Sequence, residues 1–191
     1  MNKLTLISPL GPSVNNYLNY RVRKQGKRSF VQVYMSNDTL TYRQFFIDYV
    51  KEQIKEQGWV TPEKGKQVYV YMTFFMDRKK KDPNNFIKVP FDALTDAGVF
   101  IDDDIALPVA DRVYIDSFNP RIEIEIFEAD SIGIFENMEE LEEFKENNCF
   151  NCKRNIETCG VLKRLLDNRI IPEVKDGICE KKKPIKDWNF L

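Results

Sequence analysis

The segment Gln67–Met76, QVYVYMTFFM, constrains the fold more than any other stretch of the chain. Its residues are mostly β-branched or aromatic and include no Gly or Pro, which predicts a strand. The apolar run within it, Val68–Met76, is far short of the ~20 residues that cross a bilayer. After it comes a loop, Asp77–Pro83, and then a helical pattern over about 84–97, with Asp82 or Asn84 as N-cap and Gly98 as the stop. Pro90 falls inside that pattern and should weaken or kink the helix. Upstream, Asn37 or Asp38 can cap a longer helix reaching Gln57, with Phe45, Val50 and Ile54 toward the core and Gly58 as its end. Lys3–Ile7 and Ser29–Met35 read as strands. Arg112–Phe118 and Arg121–Phe127 alternate apolar and polar residues across Asn119-Pro120, the pattern of a hairpin with one solvated face. The expected order is β-β-α-β-α-β-β: an α/β (α+β) domain over residues 1–130, built on a mixed sheet flanked by helices. A linker at Asp130–Gly133 should lead to an extension, 131–191, holding an acidic helix (Met138–Glu146) and all four cysteines.

Composition narrows the chemistry. The 191 residues are 42% apolar with a net charge of -1, as in ordinary soluble globular proteins. There is no histidine. That excludes Ser-His-Asp and Cys-His catalysis, His-ligated zinc and any imidazole base. The opening MNKLTLISPLGP has too short an apolar stretch for a signal peptide, so a cytoplasmic protein with no membrane partner is expected.

The near-neutral total hides a split. Residues 1–100 carry 16 basic and 9 acidic groups, residues 101–148 carry 3 and 15, and residues 149–191 carry 10 and 6. One basic surface facing a polyanion would account for this, as would solvated faces alone. Two basic stretches are the candidate phosphate contacts. Arg21, Arg23, Lys24, Lys27 and Arg28 lie on an early loop around Gly26, and Lys79, Lys80 and Lys81 follow Arg78. As contacts to a polyanion they would be salt-sensitive and indifferent to sequence; as charged loops they would only solubilise the chain.

Carboxylates cluster around the second helix. Asp82 precedes it, Lys88 and Asp92 form an i,i+4 pair on it, and Asp102-Asp103-Asp104 follows it. Oxygen ligands of this kind suit Mg²⁺, which is usually held by one or two carboxylates plus substrate phosphates. Capping, a surface pair and a solvated acidic loop would explain the same residues. A helix carries the chain away from its start, so only tertiary folding or dimerisation can join Asp82 to Asp103.

The run Asp82-x-Asn84-Asn85-x-x-Lys88-x-x-x-Asp92-Ala93-Leu94-Thr95-x-Ala97-Gly98-x-x-x-Asp102-Asp103 resembles the signature of the RusA family of Holliday junction resolvases. Pro12-Ser13-Val14-Asn15-Asn16-Tyr17 resembles that family's N-terminal stretch, so the likeness spans roughly residues 4–128. The resemblance implies a small homodimer that binds four-way DNA junctions and cuts them with Mg²⁺ by paired nicks, in recombination and repair. It gives catalytic roles to Asp82, Asp103 and Lys88, and metal contacts to Asp82, Asn84, Asp102 and Asp103. Asn84 departs from the family, which has aspartate there. An amide offers an oxygen but no charge, so metal affinity should fall. The alternative reading is a branched-DNA-binding protein with reduced or lost cleavage, and a third is an interaction protein whose tail recruits a partner.

Cys149-Phe150-Asn151-Cys152 has the C-x2-C spacing of a metal knuckle, with Cys159 and Cys179 beyond it. Four thiolates without histidine suit tetrahedral Zn²⁺, and an iron–sulfur cluster can use the same set. Disulfides are disfavoured in a reducing compartment.

Overall fold

In the computed structural model, residues 2–63 and 66–185 are described. The elements are β1 (Lys3–Pro9), β2 (Leu18–Gln25), β3 (Arg28–Met35), α1 (Asn37–Gln57), β4 (Lys66–Met76), α2 (Lys88–Ala97), β5 (Ala106–Ile115), β6 (Arg121–Ile132), α3 (Met138–Asn148), α4 (Gly160–Leu166), β7 (Val174–Lys175) and β8 (Ile178–Cys179). They fall into two compact units, Met1–Pro62 with Val68–Glu128, and Glu63–Gln67 with Ala129–Leu191.

Period-two patterning builds the first unit. In β4, Val68, Val70, Met72, Phe74 and Met76 are buried, while Tyr69, Tyr71, Thr73 and Phe75 stay half-buried on the other face. Leu4 and Leu6 of β1 and Ile122, Ile124 and Ile126 of β6 join the buried set. Phe46 and Val50 of α1 and Ala93 and Leu94 of α2 complete this core. On the opposite face Tyr71 stacks on Phe127 at 5.4 Å and Phe75 on Tyr114 at 5.2 Å. The sheet is mixed, in the order β1-β6-β4-β5, with β1 antiparallel to β6 and β4 parallel to β5.

Several expectations need correction. The alternating segments after residue 111 do form β5 and β6, but they do not pair with each other as a hairpin: β4 lies between them. The crossover through α2 sets β5 parallel to β4, so β6 takes the other edge of β4. The basic stretch at 21–28 is not a loop. It forms the hairpin β2–β3, with Gly26 at φ +61° in its turn, and adds a strand to the expected order. In α1, Ser36 rather than Asn37 or Asp38 is the N-cap, accepting the Thr39 N–H, and Phe46 rather than Phe45 enters the core. Finally, the span expected as a linker at 130–133 is still strand as far as Ile132.

Pro90 causes no kink. Residues Pro83–Phe86 form a separate 3-10 turn, and α2 starts only at Lys88. Pro90 thus sits in the first helical turn, where the missing N–H has no partner to lose. Gly58 and Gly98 end α1 and α2 in the left-handed conformation, as expected.

The second unit has a small core of Phe135, Leu141, Phe144, Val161, Leu162, Leu165 and Ile171. Asn137 caps α3 by accepting the Glu140 N–H at 2.9 Å. The two-residue strands β7 and β8 form a short antiparallel ribbon.

Candidate active site

Strand registers place three loops at one end of the main sheet. Met76 is level with Ile115, and the Asp116 N–H donates to the Met76 carbonyl at 2.8 Å. Pro9 is level with Arg121. The loops after β1, after β4 and between β5 and β6 therefore emerge side by side. The Val14 N–H donates to the Asn85 carbonyl at 2.8 Å, tying the first loop to the second. Between them lies a cleft of about 500 Å³. Pro12, Ser13, Asn15 and Asn16 line one wall, and Arg78, Lys80, Lys81, Asp82, Asn85 and Phe86 the other.

The cleft wall is anchored from behind. A Cβ added to Gly11 would lie 2.7 Å from the Tyr42 ring, so only glycine lets the loop approach that closely. The Tyr42 hydroxyl lies 2.6 Å from Ser8 Oγ, and burial pushes its pKa well above the usual phenol range.

Asp82 is the N-cap of the 3-10 turn, its Oδ1 accepting the Asn84 N–H at 3.0 Å. Among the described residues its second carboxylate oxygen has no hydrogen-bond partner, and both Asp82 and Asn84 are exposed. Lys80, at φ +65°, holds the loop in a conformation most side chains avoid. Lys81 is committed: it pairs with Asp77 at 2.7 Å and sits 5.6 Å from the Phe86 ring centroid. The Lys81 hydrogen bond is the main reason that Asp77 titrates below the usual carboxylate range. Lys88 pairs with Asp92 at 3.1 Å, and its amine end is half-exposed.

Asp102, Asp103 and Asp104 are exposed at the opposite end. Asp102 caps a one-turn 3-10 helix, its Oδ1 accepting the Asp103 N–H at 2.8 Å. That turn leads directly into Ala106, which is level with Val68 at the start of β4. The strand from Val68 to Met76 covers about 26 Å at ~3.3 Å per residue. The Trp59 indole N–H donates to the Val99 carbonyl at 2.9 Å, pinning the exit of α2. One chain therefore keeps Asp82 with Asn84, and Asp102 with Asp103, but does not bring the two pairs together. No set of three or more carboxylate or thiol groups able to hold a metal is gathered among the described residues.

The basic hairpin leaves the main body just beyond the cleft loop. The Tyr17 carbonyl accepts the Ser36 N–H at 3.0 Å and the Thr39 hydroxyl at 3.2 Å, clamping the hairpin base to the start of α1. Gln32 accepts both Arg21 Nε at 2.9 Å and Arg23 Nε at 3.1 Å, and Arg21 stacks 4.9 Å over Tyr34. Lys24, Lys27 and Arg28 occupy the tip. Among the described residues none of these five cations makes an ion pair, nor do Arg78, Lys79 and Lys80. Arg121, by contrast, is bound to Asp116 and Glu123 and lies 3.6 Å over the Phe75 ring. Backbone N–H groups of Asn119 and Phe118, together with Arg121, hold Asp116 below the usual carboxylate range.

The family model for endodeoxyribonuclease RusA matches residues 12–127. The chain belongs to the RusA family. The match takes in both the cleft and the acidic turn at Asp102–Asp104, and leaves residues 128–191 outside it. No curated protein matches the chain. Among the described residues no helix is long and apolar enough to cross a membrane.

Of the residues singled out in the sequence, Asp82, Lys80 and Lys81 line the cleft, and Asn84 and Lys79 do not. No role was expected for Asn85, whose backbone joins the two cleft walls, or for the clamp from Tyr17 to α1. The turn-forming stretch Pro12–Tyr17 was the available signal for both.

Donor chemistry at the cleft suits a hard divalent cation: one carboxylate and one amide oxygen, exposed and two residues apart. The carboxylates of Asp102, Asp103 and Asp104 stand at the far end of the sheet.

Proposed function

We propose that this RusA-family chain is a Mg²⁺-dependent endodeoxyribonuclease that resolves four-way DNA junctions by paired nicks, acting as a homodimer. The observation that carries this reading is the cleft on the family-matched stretch, lined by Asp82 together with Arg78 and Lys80, neither of which makes an ion pair among the described residues.

A bound Mg²⁺ would supply charge stabilisation at the scissile phosphate and a more acidic water. Asp82 and Asn84 would hold it from one side. The chain's own work is to bring DNA there. Lys79 and Lys80 beside the cleft, and Arg21, Arg23, Lys24, Lys27 and Arg28 on the hairpin, neutralise backbone phosphates and set the duplex arms in place. Lys88 can exchange its surface partner Asp92 for a phosphate oxygen, because the pair is exposed and weak.

The separation of Asp82 from Asp103 gives the homodimer a chemical purpose. A two-fold pairing that sets Asp102 and Asp103 of one copy beside Asp82 and Asn84 of the other would complete two equivalent sites. Two sites related by a two-fold axis suit two symmetric nicks. Action on DNA accords with a cytoplasmic location.

Asn84 supports one competing reading, a junction-binding protein whose cleavage is weak or lost. A labelled four-way junction incubated with and without Mg²⁺ separates the two. Paired nicks that require Mg²⁺ support the nuclease. Retarded but intact junctions support the binder, and neither outcome would overturn both.

A further inference from the structure

We propose that Cys149, Cys152, Cys159 and Cys179 bind one zinc ion that locks together the elements of the C-terminal unit. These residues lie outside the family match, and the nuclease reading makes no use of them. The four come from separate places in the unit. Cys149 and Cys152 flank a tight turn after α3, in which the Cys152 N–H donates to the Cys149 carbonyl at 3.0 Å. Cys159 is the residue from which α4 starts, and Cys179 ends β8.

Folding draws these places toward one point. Asn148, buried and adjacent to Cys149, accepts the Cys179 N–H at 2.9 Å and donates to the Gly177 carbonyl at 2.9 Å. A side chain preceding the knuckle thus fixes the ribbon carrying the fourth thiol. Cys149, Cys159 and Cys179 all pack against the same small core. The Cys152 sulfur accepts the Lys183 N–H at 3.3 Å, and Cys152 bridges to Pro184. Backbone N–H groups aimed at sulfur are the support a thiolate ligand needs.

All four thiols are free and half-buried. As free thiols they are not yet gathered as a metal set. Zinc binding would displace the thiol protons to solvent and draw the sulfurs inward by rotation of their side chains. Thiolates suit zinc as borderline-soft ligands, and four of them close a structural site with no open position. A unit with so small a core gains most from such a link.

The test uses the untagged full chain, purified anaerobically without chelator. Elemental analysis should give about one zinc per chain, and Co²⁺ exchanged into the site should show the intense thiolate-to-metal bands of a tetrahedral centre. Cys149→Ser and Cys179→Ser should each lower zinc retention in limiting metal about tenfold or more. Both should open residues 129–185 to protease while leaving junction binding at its original level. Failed junction binding by the unsubstituted chain would strike the nuclease reading and leave the zinc result standing. Zinc content unaffected by the cysteine variants, iron with inorganic sulfide in its place, a mass showing disulfides, or protease resistance unchanged by chelation would each overturn the proposal.

Discussion

Asp82 and Asn84 stand two residues apart on one 3-10 turn, and only the first contributes charge. Divalent cations respond strongly to the charge of their ligands, so restoring the carboxylate should strengthen the site. Asn84→Asp is expected to lower the Mg²⁺ concentration for half-maximal nicking and to weaken metal-free junction binding slightly, read from a Mg²⁺ titration. If Asp104 already supplies that third charge, Asp104→Ala will abolish nicking and Asn84→Asp will change little. Gly11 is a second informative residue. A methyl there meets the buried Tyr42 ring at 2.7 Å, so Gly11→Ala must displace either the ring or the cleft loop. Overpacking of this kind costs ~1–3 kcal/mol, to be read from the urea midpoint. At this scale the sequence shows which residues carry unusual chemistry, and the structure places one of them, Asp82, on the cleft wall. The sequence misleads at Phe45 because two adjacent phenylalanines are alike in chemistry; Phe46, in step with Tyr42 and Val50 at four-residue spacing, takes the core position instead.

Among the elements, the β2–β3 hairpin is half legible in the sequence: Ser29–Met35 reads as a strand, but β2 does not. Its two faces are both solvated: Tyr20, Val22, Val31 and Val33 are all half or more exposed, and the other face carries Arg21, Arg23 and Gln32. Leu18, Tyr20 and Val22 do alternate with Asn19, Arg21 and Arg23, but the dense charge of 21–28 around Gly26 reads as a loop. In β4 one face is fully buried, and the same rule succeeds. Pairing order was not legible either, since alternation in β5 and β6 says nothing about β4 lying between them. The hairpin's role can be measured apart from the chemistry. Replacing Lys24, Lys27 and Arg28 together by Gln removes three phosphate contacts. Junction affinity should fall, and the slope of log K against log salt should shrink by about 2–3, at ~0.9 per contact. An unchanged slope would remove the tip from the DNA interface.

For the molecule as a whole, the decisive feature is the distance between the two acidic turns. Parallel pairing of β4 and β5 through α2 puts Asp82 at one end of the sheet and Asp103 at the other. The sequence motif shows them as one signature because they are close along the chain; the helix between them carries them apart. In the proposed function a second copy would bring the two turns together. Mixing two inactive variants, Asp82→Asn and Asp103→Asn, tests this most directly. In a mixed dimer with shared sites, one site carries both substitutions and the other carries neither. Mg²⁺-dependent nicking should then return to about a quarter of the wild-type rate at equal mixing, as single rather than paired nicks, because half the dimers hold one intact site of two. If Asp82 and Asp103 of the same chain act together, every site in the mixture keeps a substitution, and no nicking will return.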